Sequence, residues 1–297
     1  MPAHRSAGLS RIIGLLMSAL VLPALLVLGG CSTTRLGYEQ APRLLTWWLD
    51  GYLDLGSAQT AQVRQQLQGV HDWHRRQELP AYVALLRQMQ ALGAAPVSAP
   101  QVCALVEPLR AAAQRLAVQT GPLAASLLPT LTPAQQQHLA AQLDKRDREW
   151  REEWLDGTPA ERLERRLKKA RERAEDFYGR LSDAQRNLLR QRLAESTLDI
   201  ELSWRERQRR QQDLLALVRE HAGSSRASHV QAEWLAWWQR SLDSPDAAYR
   251  AQLARLQTEA CENLAELHNL ATPSQRQRLV AKVQGYEVDL RALMPTP

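Results

Sequence analysis

Apolar residues recur every three or four positions along most of this chain, a spacing that places them on one face of an α-helix. The clearest case is a charged segment with apolar residues at Leu163, Leu167, Ala170, Ala174, Phe177 and Leu181. Between Pro42 and Leu293 no stretch alternates apolar and polar residues convincingly as a strand would, and Ala, Leu, Gln, Arg and Glu dominate. The pattern predicts an all-α fold, an irregular multi-helix bundle of about nine or ten helices.

Four predicted helices begin with a capping box, in which a hydroxyl and a Gln or Glu three positions later satisfy backbone amides at the helix start. The boxes start at Thr132, Thr158, Ser182 and Thr272. The helix from Ser182 is expected to continue to about His221, because its apolar positions keep one face. Together with the preceding helix, it predicts a long helical hairpin over about 158–220.

The first residues read as a targeting segment. Arg5 and Arg11 precede the apolar run Ile12–Leu28, which ends in Leu28-Gly29-Gly30-Cys31. This ending resembles the lipobox of bacterial lipoproteins, which implies cleavage between Gly30 and Cys31 and lipidation of Cys31. An ordinary signal peptide or an uncleaved anchor is the alternative. Because Ser32 follows where an inner-membrane retention signal would have Asp, the expected location is the outer membrane, facing the periplasm, with the periplasmic face of the inner membrane as the alternative.

This interpretation divides the chain into a signal peptide (1–30), a lipidated N-terminus with a short tether (31–40), and a single all-helical periplasmic domain (41–297). The net charge of +6 loses the charges of Arg5 and Arg11 and falls to +4. So small an excess in such a compartment gives no support for a nucleic-acid partner. Mixed charges from Lys145 to Arg210 predict a solvated, ion-paired surface.

Two cysteines remain once Cys31 is assigned to a lipid. Cys103 and Cys261 form an even pair in an oxidising compartment, where disulfides persist, and are therefore the candidate disulfide. Two separate buried thiols are the alternative, because a sequence does not give the distance between two Cα atoms.

Two of the capping boxes carry a further likeness. The five-residue stretches from Leu131 and from Leu181 are similar to the signature of small helical periplasmic chaperones of the envelope stress response. The resemblance would imply folding assistance, whereas a capping box followed by helix formers is a purely structural explanation of the same residues.

A broader resemblance is to uncharacterised proteobacterial lipoproteins grouped as a domain of unknown function. Its carriers are Cys31-Ser32, Arg35–Tyr38, Ala41-Pro42, Leu45, Trp47–Tyr52, Gln59, His74–Arg76 and Leu79-Pro80. The resemblance is expected to cover the whole chain from Cys31 onward, and it implies no activity.

The chain has nine Trp and one Phe. Trp47, Trp48 and Tyr52 follow closely on Cys31 and read either as an aromatic anchor at the bilayer interface or as core packing, of which core packing is favoured. Trp234, Trp237 and Trp238 have helical spacing and are likewise expected to be buried.

Sequence motifs for enzymes, nucleotides and metals are absent, so neither a cofactor nor a nucleotide is expected. His71 and His74 could share a metal ion but lack a third ligand at a recognisable spacing, and no metal site is predicted. The expected function is non-enzymatic: binding, scaffolding or envelope assembly and integrity, with an envelope protein or a cell-wall or lipid partner. The alternative is an envelope enzyme acting on peptidoglycan or another cell-wall substrate, with Asp50, Asp54 and His74 as weak catalytic candidates.

Overall fold

A computed structural model describes residues 31–295, with side chains from Thr34 onward. The predicted signal peptide and its cleavage at Gly30 lie outside the described residues, as does the side chain of Cys31. No helix of residues 31–295 combines the length and the apolar character needed to cross a membrane.

The all-α prediction is confirmed, because residues 31–295 contain helices and no strand. There are thirteen α-helices in this range, of which eleven have at least nine residues, close to the nine or ten expected. In chain order they are α1 (Cys31–Glu39), α2 (Ala41–Leu53), α3 (Ser57–Gly93), α4 (Ala99–Cys103), α5 (Val106–Gln119), α6 (Gly121–Leu127), α7 (Pro133–Trp154), α8 (Pro159–Tyr178), α9 (Asp183–Ala194), α10 (Ile200–His221), α11 (Ala227–Leu242), α12 (Ala247–Asn269) and α13 (Pro273–Leu293), with a 3-10 helix (Leu128–Thr130) between α6 and α7.

The helices form two compact units where the sequence predicted a single domain. Unit 1 consists of Met1–Arg76, of which residues 31–76 are described, with Ala111–Trp150 and Glu206–Pro245. Unit 2 consists of Gln77–Arg110, Arg151–Arg205 and Asp246–Pro297. Four of the boundaries fall inside helices α3, α5, α7 and α10, where no change of composition or linker marks them. The sequence therefore gave no sign of this division, because domain boundaries are recognised in a sequence by linkers.

Unit 1 has an aliphatic core to which six of its helices contribute. The buried members are Leu53, Val63, Leu67, Ala124, Leu127, Leu128, Leu131, Leu139, Leu143, Leu217, Val218, Val230 and Trp237. Trp234 and Trp238 pack against this core, so burial of these three tryptophans is largely as predicted. Gly121 opens α6 where an added Cβ would lie 2.8 Å from the side chain of Gln231 on α11, and glycine therefore permits the close approach of these two helices.

Unit 2 has a smaller core around the apolar seam of α8. Ala174, Tyr178 and Leu181 pack with Leu267 and Ala271, and side chains from α9 and α13 surround them. Cys103 on α4 and Cys261 on α12 are joined by a disulfide bond with a Cα–Cα distance of 5.4 Å. Both cysteines belong to unit 2, so the bond ties together segments far apart in sequence.

The predicted hairpin is shorter than expected, because the helix that begins after Ser182 ends at Ala194. Ser196 and the amide of Thr197 donate to the carboxylate of Glu259 at 2.9 Å each, which draws this segment out of a helical path. Asp199 then starts α10, since its carboxylate accepts the amide of Leu202 at 3.0 Å. The sequence predicted one helix to His221 because the apolar face continues across this break. That prediction was wrong, since one helix ends at Ala194 and the next begins at Ile200.

Candidate functional site

The segment that begins at Cys31 is helical over α1 (Cys31–Glu39), where the sequence suggested a short tether over 31–40. Tyr38 on α1 is buried, and its phenolic oxygen lies 2.7 Å from Nδ1 of His74 on α3. The Nε2 atom of His71 lies 3.0 Å from the backbone carbonyl oxygen of Tyr38, to which it donates. Both ends of the Tyr38 residue are thus held by α3, and α1 is part of unit 1.

His71 and His74 form the pocket that receives Tyr38. Their ring centroids lie 4.7 Å and 5.8 Å from that of Tyr38, and both histidines are buried. Burial lowers the pKa of His71 because the imidazolium loses its hydration; Arg75 adds to this, against the opposing effects of the Tyr38 carbonyl and Asp72. The two histidines therefore hold α1 to α3.

The outward face of α2 carries large apolar side chains. Trp47 is 63% exposed and Leu44 is 46% exposed, and they stand three residues apart on one face. Gly51, four residues beyond Trp47, has no side chain that could cover the indole, and an added Cβ there would meet nothing within 4 Å. On α1, Leu36 is 61% exposed. We call Leu44 and Trp47 the apolar face.

The prediction that Trp47 packs in the core was therefore wrong. The buried positions of α2 are Ala41, Pro42, Thr46 and Leu53, and Trp47 is exposed. The prediction of core packing is partly met by Trp48 and Tyr52, which are half-buried. Their ring centroids lie 4.9 Å apart. Tyr52 packs against the core of unit 1, and its hydroxyl accepts a hydrogen bond from Nε of Arg146 at 3.1 Å.

The three weak catalytic candidates occupy structural positions. The Asp50 carboxylate accepts the backbone amide of Leu55 at 2.9 Å and so caps the end of α2. Asp54 is exposed and has a left-handed backbone, with φ of 49°, at the turn after α2. His74 binds Tyr38 as described above. Asp50 and His74 thus make structural side-chain contacts, and the backbone carbonyl of Asp54 accepts the side-chain amide of Gln135 at 2.9 Å.

The predicted capping boxes at Thr132, Thr158, Ser182 and Thr272 are all present. Their glutamines do more than cap. In unit 2 the side-chain amides of Gln185 and Gln275 donate to each other's oxygens at 3.2 Å and 3.0 Å. Each oxygen also accepts the amide of its own N-cap residue, at 2.9 Å and 3.0 Å. The two amides therefore join the starts of α9 and α13.

Unit 1 repeats this arrangement with Gln59 and Gln135, whose amides exchange hydrogen bonds of 3.2 Å and 2.7 Å. The oxygen of Gln59 accepts the amide of Gly56 at 2.9 Å, and that of Gln135 accepts the amide of Thr132 at 3.0 Å. The sequence drew attention to Gln59 only through a family resemblance and not as a capping residue, because glycine, not a hydroxyl residue, stands at its N-cap. The signal that could have found it is a residue pattern shared by five helix starts of the described residues, each with Gln three positions after the cap: Gly56, Ser98, Thr132, Ser182 and Thr272.

The charged stretch from Lys145 to Arg210 is less solvated than predicted at its end. Glu206 is buried and accepts hydrogen bonds from Arg209, Arg210 and Ser244. Burial alone would raise the pKa of Glu206, but these hydrogen bonds outweigh it and the pKa is lowered. Charge composition could not reveal this burial, because it does not distinguish the faces of a helix.

Comparison with known proteins places the chain in a family. No curated protein and no solved structure matches it. The profile of a family of unknown function, DUF6279, matches residues 51–240. The match includes Tyr52, Gln59 and His74 of the resemblance noted above but begins after Cys31, so it is shorter than the coverage expected and does not include the lipobox. Since it spans more than half of the 297 residues, the protein belongs to the family of unknown function DUF6279.

Proposed function

We propose that this protein is a lipoprotein of the bacterial envelope, anchored in a membrane through Cys31, and that the apolar face of α2 lies against the same membrane. In this role it acts as a non-enzymatic binding or scaffold factor in envelope assembly or integrity. The observation that carries the proposal is the exposure of Trp47 and Leu44 so close to the candidate lipidation site.

An exposed Trp beside an exposed Leu suits a bilayer interface better than water. Burial of a large apolar side chain contributes about 1.5–3 kcal/mol, and the amphipathic indole favours the depth of the lipid headgroups. Acyl chains on Cys31 would already make attachment nearly permanent. The apolar face would therefore add little to attachment, and its effect would be to fix which side of unit 1 faces the membrane.

The chain between the two attachment points is short. Trp47 follows Cys31 by sixteen residues, and these lie almost wholly in α1 and α2. At a rise of about 1.5 Å per helical residue, they are at most about 25 Å apart along the chain. Because Tyr38 holds α1 to α3, the lipid site would be fixed to unit 1 and not swing on a flexible segment.

Two further features support the envelope location. The Cys103–Cys261 disulfide suits an oxidising compartment such as the periplasm. Ser32 after Cys31 favours the outer membrane over inner-membrane retention. The structural roles of Asp50 and His74 favour a binding function over hydrolysis of a cell-wall substrate.

The anchor is tested with the variant Cys31→Ser. We expect acyl labelling to be lost and the protein to move from the membrane to the soluble fraction. A variant that stays in the membrane fraction, or a wild type that takes up no label, would refute lipidation.

The membrane contact of the apolar face is tested separately, in the lipidated protein on vesicles containing brominated lipids, which quench nearby Trp fluorescence. We expect Trp47→Phe to lose much of the quenching, whereas Trp237→Phe, a change at a buried core position, should retain it. Equal quenching in Trp47→Phe and the wild type would overturn the proposed orientation even if Cys31 is lipidated.

The binding role is tested by crosslinking in intact cells, followed by capture of the lipidated protein from solubilised envelope. A specific envelope partner that is crosslinked to the lipidated wild type and is absent from cells without the protein would support it. No partner together with hydrolysis of peptidoglycan would favour the enzyme.

A further inference from the structure

A cluster of possible metal ligands lies at the turn between α10 and α11, in unit 1. Glu220 and His221 end α10, and His229 is in the first turn of α11. One ligand atom from each of the three residues lies within 4.8 Å of the others. The imidazole ring centroids of His221 and His229 are 5.3 Å apart, with planes inclined at 78°.

His221 supplies a second, independent observation. Its side chain is 2% exposed, and its Nε2 atom is buried without a hydrogen-bond partner among the described residues. A buried polar atom without a partner destabilises a folded protein, so its persistence calls for a partner. A metal ion bound to a neutral imidazole nitrogen would satisfy such an atom.

The backbone of the turn holds the cluster in place. Gly223 adopts a positive φ of 73°, and its amide donates to the carbonyl of Pro129 at 2.8 Å. The amide of His229 donates to the carbonyl of Arg226 at 3.0 Å, which closes the turn into α11. The three ligand-bearing residues are thus brought together by the fold before any ion binds.

We propose that Glu220, His221 and His229 bind a divalent transition-metal ion, with Zn²⁺ as the best match. Two imidazoles and one carboxylate are a known zinc ligand set. Ligands of a tetrahedral zinc at about 2.0–2.1 Å lie about 3.3 Å apart, which small side-chain rotations of this cluster would achieve. Glu220 is exposed, so a fourth position is open to water or an external ligand.

This site differs from the one weighed from the sequence, at His71 and His74, and it stands against the expectation that the protein takes no metal. Sequence reasoning missed it because adjacent Glu and His followed by a His eight positions later match no metal motif. The turn, and not a helical repeat, brings the third ligand close. The inference does not depend on the proposed membrane role.

The test uses the full-length protein, purified without a histidine tag and freed of metal by a chelator. Zn²⁺ is titrated in competition with a chromophoric chelator, and Co²⁺ is added in parallel as a spectroscopic probe. We expect one Zn²⁺ per chain and visible Co²⁺ absorption bands typical of a four-coordinate site. His229→Ala and Glu220→Gln should each weaken zinc binding by about tenfold or more, with loss of the Co²⁺ bands in His229→Ala.

His138→Ala is the matched control, because His138 lies in unit 1 but outside the cluster, with Nε2 3.3 Å from the carbonyl oxygen of Gly51. It should bind zinc as the wild type does. Substitutions at His229 and Glu220 are preferred to one at the buried His221, which could disturb folding, and circular dichroism checks each variant. Equal zinc affinity in the wild type and His229→Ala, or no stoichiometric binding by the wild type, would overturn the proposal.

Discussion

The phenolic oxygen of Tyr38 lies 2.7 Å from Nδ1 of His74, and this buried contact holds the first described helix to unit 1. Unit 2 contains a similar pair, in which the hydroxyl of Tyr178 lies 2.9 Å from Nδ1 of His268. Nε2 of His268 donates to the carbonyl of Ala95 at 2.9 Å, so Nδ1 of the neutral ring must accept from Tyr178. Each pair uses a buried histidine to connect distant segments.

Replacing Tyr38 by Phe should loosen α1. The change keeps the ring but leaves a buried ring nitrogen of His74 without its hydroxyl partner, which we expect to cost about 1–3 kcal/mol of folding free energy. Hydrogen exchange should become faster at the amides of α1 and stay unchanged in unit 2. Tyr52→Phe is the control, because the Tyr52 hydroxyl is only half-buried and its loss should cost less. Unchanged exchange in α1 would show that the ring alone holds the helix.

Acid should destabilise the fold through His71 and His268, two buried histidines whose pKa values are lowered. Burial lowers the pKa of His268 from its ordinary 6.5 and outweighs the opposing hydrogen bond to the Ala95 carbonyl, and the charge of Arg276 adds a smaller lowering. The unfolded chain therefore takes up a proton more readily than the folded one below about pH 6.5, and the free energy of unfolding should fall as the pH drops from 7 toward 5.

The variant His268→Gln tests this assignment, since Gln keeps a donor for the Ala95 carbonyl but does not titrate. Chemical denaturation at several pH values should show a shallower dependence between pH 7 and 5 than in the wild type. An unaltered slope in His268→Gln would assign the acid sensitivity to other groups, such as His71.

The tyrosine of the second pair should resist ionisation. Burial raises the pKa of Tyr178 to about 12, against a lowering by Arg276. Since an exposed tyrosine ionises near pH 10, the unfolded chain loses this proton first and stability should fall as the pH rises from 10 to 12. Ultraviolet titration should show a late-ionising tyrosine that disappears in Tyr178→Phe. Complete ionisation below pH 11 in the folded protein would contradict the assigned burial.

The helical class and the helix starts could be predicted because both depend on local chemistry. Thr158, Ser182 and Thr272 begin helices through contacts within four residues, which a sequence displays directly. The exposure of Trp47 and the pairing of Gln185 with Gln275 depend on which helices meet. Such information lies in contacts between residues far apart in the chain, and periodicity within one helix does not carry it.

Exchange of Gln185 for Glu should separate capping from pairing. Glu serves as well as Gln in a capping box, as Glu161 does after Thr158. At position 185, however, the fully buried side chain must also donate a hydrogen bond to the side-chain oxygen of Gln275. A carboxylate at this position would place an acceptor opposite that oxygen, and it would bury a negative charge. We expect a loss of about 2–3 kcal/mol at pH 7, measured by chemical denaturation.

The reverse exchange, Glu161→Gln, is the matched control and should change stability by less than about 0.5 kcal/mol, because Glu161 is exposed. The penalty of Gln185→Glu should also shrink toward pH 4, where a protonated carboxyl regains a donor. Equal and small effects of the two exchanges would mean that the amide pair adds nothing to the caps.

The disulfide should stabilise unit 2 in particular. Cys103 and Cys261 are 158 positions apart, and their bond restricts the unfolded chain, so we expect its loss to cost about 2–5 kcal/mol. In a Cys31→Ser background only these two thiols remain. Alkylation of the denatured protein should modify neither without a reductant and both with one. Reduction should speed hydrogen exchange around α4 and α12 while leaving unit 1 unchanged, and the double variant Cys103→Ser, Cys261→Ser should show no response to reductant. Two reactive thiols in unreduced protein isolated from the envelope would contradict the bond.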